Sequence, residues 1–523
     1  MADAQSTGAT GTAVPSGPKR EILIVLPGLL LALILAMLDQ TVVSTALPRI
    51  VGDLGGVTHL SWVVTSYVLA STVTTPLYGK LGDLYGRKRW LMTAVVIFLI
   101  GSALSGLSHS MDQLIVFRAL QGLGAGGLMV GVIATIGDMV SPRERGQYMG
   151  YMMASMMLAM IAGPLVGGYI TDSLSWRWIF YINMPVGGAA LIYLWATLHL
   201  PYKKIQHKID YLGAGALAIA ATAIVLLTTW GGTQYAWRSA QIIGLGVVAV
   251  ISTVAFLFIE TRAAEPVLPL HVFKNRNFSV ASGMSFLLGM AMLGALTFLP
   301  LYQQTVQHLS AVGSGLMLIP MMLGVTATSL IGGLVMTRTG RYKAMPIIGG
   351  AIMSVAMILL TGLGVSTSLL HAGIYYVVLG IGMGFLMQIT SVIVQNSVEP
   401  RDIGVASSSR TFFQQIGGSI GVALFGAIFA RRLVETLSAR LPGRHLNAAG
   451  GQLNPVTVNH LPAPVRGDVF YAIAHAIQGV FFWAAPAAIA VFVLAWFIKE
   501  VPLRSSVPPP PSEAPASEPE FAA

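Results

Sequence analysis

Gly79-Lys-Leu-Gly-Asp-Leu-Tyr-Gly-Arg-Lys-Arg89 is a short charged run set between two apolar stretches, 61–79 and 90–108. Each flank has the length and polarity to cross a bilayer, which takes about 20 mostly apolar residues. A run carrying Lys80, Asp83, Arg87, Lys88 and Arg89 has to stay at a wet surface, so the chain turns there at a membrane face. The same alternation extends outward in both directions. Apolar stretches recur near 22–47, 113–137, 147–170, 177–199, 210–230, 240–259, 279–302, 312–336, 344–364, 371–396, 407–430 and 470–498, which with the two flanks makes 14. The stretch at 210–230 is the weakest, because it runs into Gly231-Gly232.

Composition agrees. Hydrophobic residues make up 55% of the 523 positions and charged residues 10%, with a mean hydropathy of +0.74. A soluble domain carries about 25% charged residues, so most of this surface faces lipid. The polar, small-residue start (1–20) and the Pro/Ser/Ala/Glu-rich end (501–523) read as disordered tails. Lys19 and Arg20 precede an apolar run too long for a signal peptide. Without cysteine there is no disulfide framework and no thiolate metal site; no cofactor and no metal are expected.

Charge sets the expected orientation. With the N-terminus inside, 20 of the 30 Lys and Arg fall on the inner side. Arg49, Arg177 and Arg238 fall in short outer loops, five more lie in the long outer segment 431–469, and Arg118 and Arg410 lie in or at the edge of helices. Basic residues in short loops mark the cytoplasmic side. The expectation is a multi-pass protein of the plasma (inner, cytoplasmic) membrane with both termini cytoplasmic. The net charge of +10 is then mainly a topology signal, and nucleic acid is not an expected partner, because no basic patch is interleaved with aromatics.

The chain also repeats itself. Ser-Pro-Arg-Glu-Arg-Gly at 141–146 matches Glu-Pro-Arg-Asp-Ile-Gly at 399–404, an offset of 258. At that offset Gly122, Gly124 and Gly126 match Gly380, Gly382 and Gly384, and Gly163 matches Gly421. At offset 254, Gly79, Gly86 and Arg87 match Gly333, Gly340 and Arg341. The fold expected is an all-α polytopic membrane protein: two six-helix halves, 21–200 and 263–500, plus two inserted helices in 201–262. Parallel halves of this kind place a substrate site between them near mid-membrane.

The run 79–89 resembles the signature loop of the major facilitator superfamily. Three more segments resemble its fourteen-helix drug:proton antiporter subgroup: Leu38-Asp-Gln-Thr-Val-Val-Ser-Thr-Ala-Leu-Pro48, Arg118-Ala-Leu-Gln-Gly-Leu-Gly-Ala-Gly126 and Gly163-Pro-Leu-Val-Gly-Gly168. Trp176-Arg-Trp-Ile-Phe-Tyr-Ile-Asn183 fits as well, and the likeness covers nearly the whole chain. Two departures stand out. Ala159 occupies a place usually held by Gly, and Thr337 stands where the first loop has Asp83. The resemblance implies the major facilitator fold and export of lipophilic or amphipathic compounds in exchange for protons, by alternating access. Its partners would be those small molecules, protons and membrane lipid, with the chain acting as a monomer. The segment 431–469 either covers the cavity mouth or docks an envelope partner.

Asp39 is the carboxylate placed well inside a predicted helix, where a charge is costly and by default functional; it is the candidate proton carrier, against a purely structural hydrogen-bonding role with Thr41 or a neighbouring helix. Arg118 inside the fourth helix must find partners; the resemblance implies that it tunes Asp39. Glu260 and Asp138, at helix ends, are the next candidates. Gly163, Pro164, Gly167 and Gly168 thin and bend the fifth helix, and the resemblance implies a leak-resistant contact between the halves. In the loop, Gly79, Asp83, Gly86 and Arg87 form the candidate conformational latch. The resemblance places Asp83 at the start of the helix that begins near Ser407, with Arg410 adding a charge-assisted bond; the plain alternative is local pairing of Asp83 with Arg87 or Lys88.

For the cavity, Met149, Met152, Met153, Met156, Met157 and Met160 fall on one helical face, either as a pliable wall or as ordinary packing. Tyr67, Gln303, Gln304, Gln388, Gln395, Gln414 and Gln415 are candidate cavity polars, each equally able to bridge helices. Three other classes are disfavoured. No Gly-x4-Gly-Lys-Ser/Thr and no His-Glu-x-x-His occurs, which argues against an ATP-driven pump or membrane enzyme. The repeat and the intramembrane charges argue against a receptor or scaffold. Export of a lipid or of a self-made natural product, such as an antibiotic, uses the same machine and stays open beside drug export. Uptake by proton symport is also open, and the Gly-Pro element stands against it.

Overall fold

The computed structural model describes residues 18–54, 60–141, 144–199, 210–232, 234–263, 266–309, 311–399, 402–440 and 463–503. Both tails and 441–462 lie outside them. Hydrocarbon offers no partner to a bare N–H or C=O, so an apolar chain of this kind folds into helices, each satisfying its own backbone. The helices are α1 (Pro18–Leu54), α2 (Leu60–Tyr85), α3 (Arg87–Gly106), α4 (Met111–Met139), α5 (Arg145–Ser173), α6 (Trp178–Tyr181), α7 (Asn183–Thr197), α8 (Tyr211–Trp230), α9 (Ala240–Glu260), α10 (Arg276–Thr305), α11 (Ala311–Met317), α12 (Ile319–Thr339), α13 (Ala344–Leu360), α14 (Leu369–Asn396), α15 (Ile403–Arg440) and α16 (Ala463–Trp496).

Each of the apolar stretches is helical, with α6 and α7 sharing one and α11 and α12 another. Among the described residues, 12 helices have the length and hydropathy to cross a membrane. Leu60–Tyr85, diluted by Ser, Thr and loop charges, and the shorter Ala344–Leu360 complete the set. The outer segment differs from expectation: α15 runs on to Arg440 and α16 starts at Ala463. Arg431, Arg432, Arg440 and Arg466 therefore sit on helix extensions; the polar stretch continues the helix because Arg431–Glu435 pairs along it, with N–O at 2.8 Å, and Arg440 reaches Asp468 on α16 at 3.0 Å.

Two apolar cores follow the two halves. One gathers α1, α3, α4 and α5 around Leu29, Leu33, Phe98 and Leu128; the other gathers α10, α12–α14 and α16 around Phe278, Tyr302, Met353 and Leu386. Inserted helices α8 and α9 pack on each other, and α8 lies against α2 and α15, through Ala221, Val225 and Ile416. Apolar side chains such as Val250, Ile251 and Val254 of α9 point outward, as a lipid-facing surface does.

Glycine at 86 has a backbone reason. It lies between α2 and α3 at φ 93°, and its repeat partner Gly340 ends α12 at φ 69°. Both have a positive φ that side chains disfavour, but ψ is 133° at Gly86 and 3° at Gly340, so the two charged loops share the glycine and turn differently.

Candidate functional site

The deepest polar cluster lies inside the first half. α1 brings Asp39, α4 brings Arg118 and Gln121, α7 begins with Asn183, and α3 adds Ser102. Gly122 and Gly126 let α4 approach the α2 backbone at Tyr67 and Ser71, where an added Cβ would collide; this closeness sets the depth of Arg118. Asp39 Oδ2 accepts from Arg118 Nη1 at 2.5 Å. Its Oδ1 accepts from Gln121 Nε2 at 2.8 Å and from Asn183 Nδ2 at 2.9 Å. Arg118 also donates to Gln121 Oε1 at 2.8 Å and to the Val63 carbonyl at 3.4 Å. Its guanidinium lies 4.2 Å from the Tyr67 ring centroid, a cation–π contact.

Asp39 has no exposed surface and Arg118 is 1% exposed. A charge pair so far from water survives only with further hydrogen bonds around it, and Gln121 and Asn183 supply them. Sequence reasoning missed Gln121, Asn183 and Ser102. Gln121 stands one turn past Arg118, a spacing that shares a helix face; Asn183, which also donates to Ser102 Oγ at 2.9 Å, carries no comparable signal. Thr41 bonds carbonyls of its own helix, and the carboxylate partners of Asp39 come from α4 and α7.

The charged run forms a second cluster at the membrane face. Asp83 Oδ1 accepts from Gly404 N at 3.1 Å and Oδ2 from Val405 N at 2.7 Å. These amides lie in the first turn of α15, where helix N–H groups lack internal partners. Asp83 also pairs with Arg87, and Arg87 Nε reaches Asp138 at 2.8 Å. Local pairing and the contact across the halves therefore coexist. Lys88 instead donates to the Trp195 carbonyl at 2.7 Å. Arg410 stands apart from Asp83: its Nη1 donates to Thr390 Oγ1 at 3.4 Å, because it lies about one and a half turns further into α15 than Gly404 and Val405.

Gly79 explains how close the halves come. A Cβ there would strike Ser408 and the Gly404 carbonyl. A second crossing repeats this one: a Cβ on Gly333 of α12 would strike the backbone of Gly146 and Gln147 on α5. Gln388 Nε2 bonds the Gly146 carbonyl at 2.9 Å, and Gly150 abuts Leu330. Gly146 and Gly404 are the residues paired by the 258 repeat, so the charged face is shut by two related glycine crossings.

Other residues take separate places. Gly163 faces Thr41 of α1, in its own half, rather than the second half; the contact of α5 with the second half falls at Gly146 and Gly150, nearer the charged face. Gly167 is buried, Gly168 has open space beside it, and the side chain of Pro164 lies outside the described residues. The methionines of α5 divide. Met149 and Met152 join the first-half core, Met153 packs on the second-half core, and Met157 Sδ accepts from Thr326 Oγ1 on α12 at 3.4 Å; Met156 and Met160 are half-buried. A period of 3.6 puts them on one broad face, and the seam between the halves runs along it.

The glutamines are spread as well. Gln303 is fully buried in the second half, Gln304 donates to Ser314 Oγ at 2.9 Å, Gln395 to Ser407 Oγ at 3.0 Å, and Gln414 to Met292 Sδ at 3.7 Å. Gln415 Oε1 has no partner. Tyr67 belongs to the Arg118 cluster. No group of three or more metal-binding side chains occurs among the described residues.

Two helical halves, a seam between them and buried charges inside one half define a membrane transporter rather than an enzyme. The family model described as Major Facilitator Superfamily matches residues 29–213 and 210–422. The multidrug transporter protein MdtP of Bacillus subtilis (strain 168) is 39% identical over 423 residues, 81% of this chain and 78% of that protein. Multidrug resistance protein 3 of the same organism is 33% identical over 489 residues, 92% of this chain and 95% of that one. In fold the chain resembles the crystal structure of the human organic anion transporter MFSD10 (TETRAN), with a TM-score of 0.60 at 15% identity, covering 92% of this chain and 99% of that one. The chain belongs to the Major Facilitator Superfamily, alongside its drug-efflux transporters.

Proposed function

We propose that the chain exports lipophilic and amphipathic compounds across the plasma membrane by exchanging them for protons. The observation that carries this reading is the occluded Asp39–Arg118 pair. A carboxylate held without exposure beside a permanent cation changes its interactions sharply when it takes up a proton, since the ion pair with Arg118 is then lost. Gln121 and Asn183 keep Asp39 oriented in either state. Relatives named as multidrug transporters support a drug as substrate, and relatives named as efflux pumps support the direction.

The Lys and Arg bias supports a cytoplasmic position for the charged face. With both glycine crossings closed there, Asp83 on the α15 amides favours the state shut toward the cytoplasm, and release of that contact lets the halves part on that side. Asp39 then takes or gives its proton only in states where the first half opens to water, which ties proton movement to the conformational cycle. The chain is proposed to do this as a monomer.

Purified full-length protein in proteoliposomes with an imposed pH gradient tests the reading, using a panel of lipophilic cations, neutral drugs and lipids. Uphill movement should follow the gradient, stop when gradient and membrane potential are collapsed, and need no ATP. Transport that persists without either gradient and requires ATP would refute it. A response to lipids alone would move the substrate class to lipid export on the same fold.

A further inference from the structure

Four arginines are buried among the described residues: Arg87, Arg118, Arg145 and Arg410. Arg87 and Arg118 meet carboxylates, and Arg145 caps backbone carbonyls of Val140 and Gly137. Arg410 is different. It is 4% exposed, its single hydrogen-bond partner is the neutral hydroxyl of Thr390, at the long distance of 3.4 Å, and its Nε has no partner. A guanidinium stays charged at any ordinary pH, and a cation withdrawn from water without a counter-charge is held at a cost.

Its surroundings add donors and acceptors in the same state. Ser391, next to Thr390 on α14, has an unpartnered hydroxyl, and Gln395, held by Ser407 one turn before Arg410, has an unpartnered Oε1. Across the seam, α4 places Gly137 against Gln395. Here α15 of the second half packs on α14 of its own half and on α4 of the first.

We propose that Arg410 is the anchor of an anion site in the second half, which takes the carboxylate of a lipophilic ligand when the α4–α15 seam opens. The guanidinium fork matches a carboxylate through two parallel bonds, and Nε supplies one of them. The Ser391 hydroxyl, next to Thr390, donates to the same group. The apolar body of the ligand extends from there between the halves, toward Met153 and Met157 of α5 on the α12 side, which adapt to its shape. The inference rests on the exporter reading for the lipophilic body of the ligand. Binding is measured at equilibrium without a gradient, so its failure and the failure of proton-driven transport are separate results.

The probes are 1-pyrenebutyrate and 1-pyrenebutyramide, which share shape and differ in charge, titrated onto the purified full-length chain by fluorescence anisotropy. Wild type should prefer the carboxylate by roughly tenfold, the order of one charge-assisted bond. Arg410→Gln should bind the amide as before and lose the preference, and Arg410→Lys should keep part of it. No preference in wild type, or the same preference in Arg410→Gln, would overturn the proposal. If Arg410→Gln fails to fold, Arg410→Lys decides: a carboxylate preference that falls below wild type with amide binding intact supports the site, since a point charge matches the carboxylate poorly, and an unchanged preference overturns it. Displacement of pyrenebutyrate by sodium acetate at equal concentration would assign the site to small free anions and overturn the lipophilic ligand.

Discussion

Asp83 Oδ2 sits 2.7 Å from the amide nitrogen of Val405, a contact between residues 322 positions apart in the chain. It joins the charged run of the first half to the first turn of α15 in the second. The same carboxylate pairs with Arg87, which in turn holds Asp138 at the end of α4. One side chain thus ties three helices of one half to a helix start in the other, and removing its charge tests whether the tie governs the opening of this face.

Asp83→Asn should weaken the contact while keeping its shape. A carboxylate at a helix start is worth typically 0.3–1 kcal/mol, and up to about 2 when partly buried. The ratio of states closed and open at this face should therefore fall by roughly 2- to 30-fold. Turnover should slow, with little change in substrate affinity within one state. Distances between labels on the 80–89 loop and the start of α15 measure this; a distribution identical to wild type would mean that Asp83 serves only Arg87.

Asp39→Asn keeps the size and two hydrogen bonds of the side chain and cannot titrate. It also leaves Arg118 buried without its counter-charge, which costs about 3–5 kcal/mol in comparable pairs. Proton-driven transport should drop to background while the protein still reaches the membrane. Normal uphill efflux by this variant would move the coupling site elsewhere, with Glu260 next to be replaced.

The second crossing predicts that bulk at Gly146 is worse than bulk at Gly163. Gly146 meets the Gly333 backbone across the halves, whereas Gly163 meets a Thr41 side chain in its own half. Overpacking costs typically 1–3 kcal/mol, and here it acts on the closed state alone. Gly146→Leu should open the charged face by label distances, and Gly163→Leu should lower melting temperature without that shift. Ala159→Gly should be nearly silent in both assays. Equal opening by the two leucine variants would place Gly163 at the seam after all.

Gly86→Ala forces a side chain to φ 93° and ψ 133°, a region that glycine favours, at about 1–3 kcal/mol. A lower melting temperature in detergent is expected, and Gly340→Ala at φ 69° should behave alike. Unchanged melting for both would show that the loops relax to another turn.

Much of this protein was legible in one dimension. In a lipid solvent each spanning helix is a continuous apolar stretch, because hydrocarbon excludes charge along its whole length; the stretches are therefore visible one by one. The two-fold repeat was visible too, as glycines at matching offsets, and so were Asp39 and Arg118, because charges stand out in apolar helices. Partners were another matter. Gln121 and Asn183 look ordinary in the chain, and only the packing of α1, α4 and α7 makes them ligands of Asp39. The same holds for Gly163 and Gly146: each announces that something comes close, and neither says what. Which helix approaches is decided by how the two halves settle against each other, a balance of many side-chain contacts that no local pattern encodes. Arg410 shows the limit most plainly, since its position predicted a bond to Asp83 and its helix carried it about one and a half turns away.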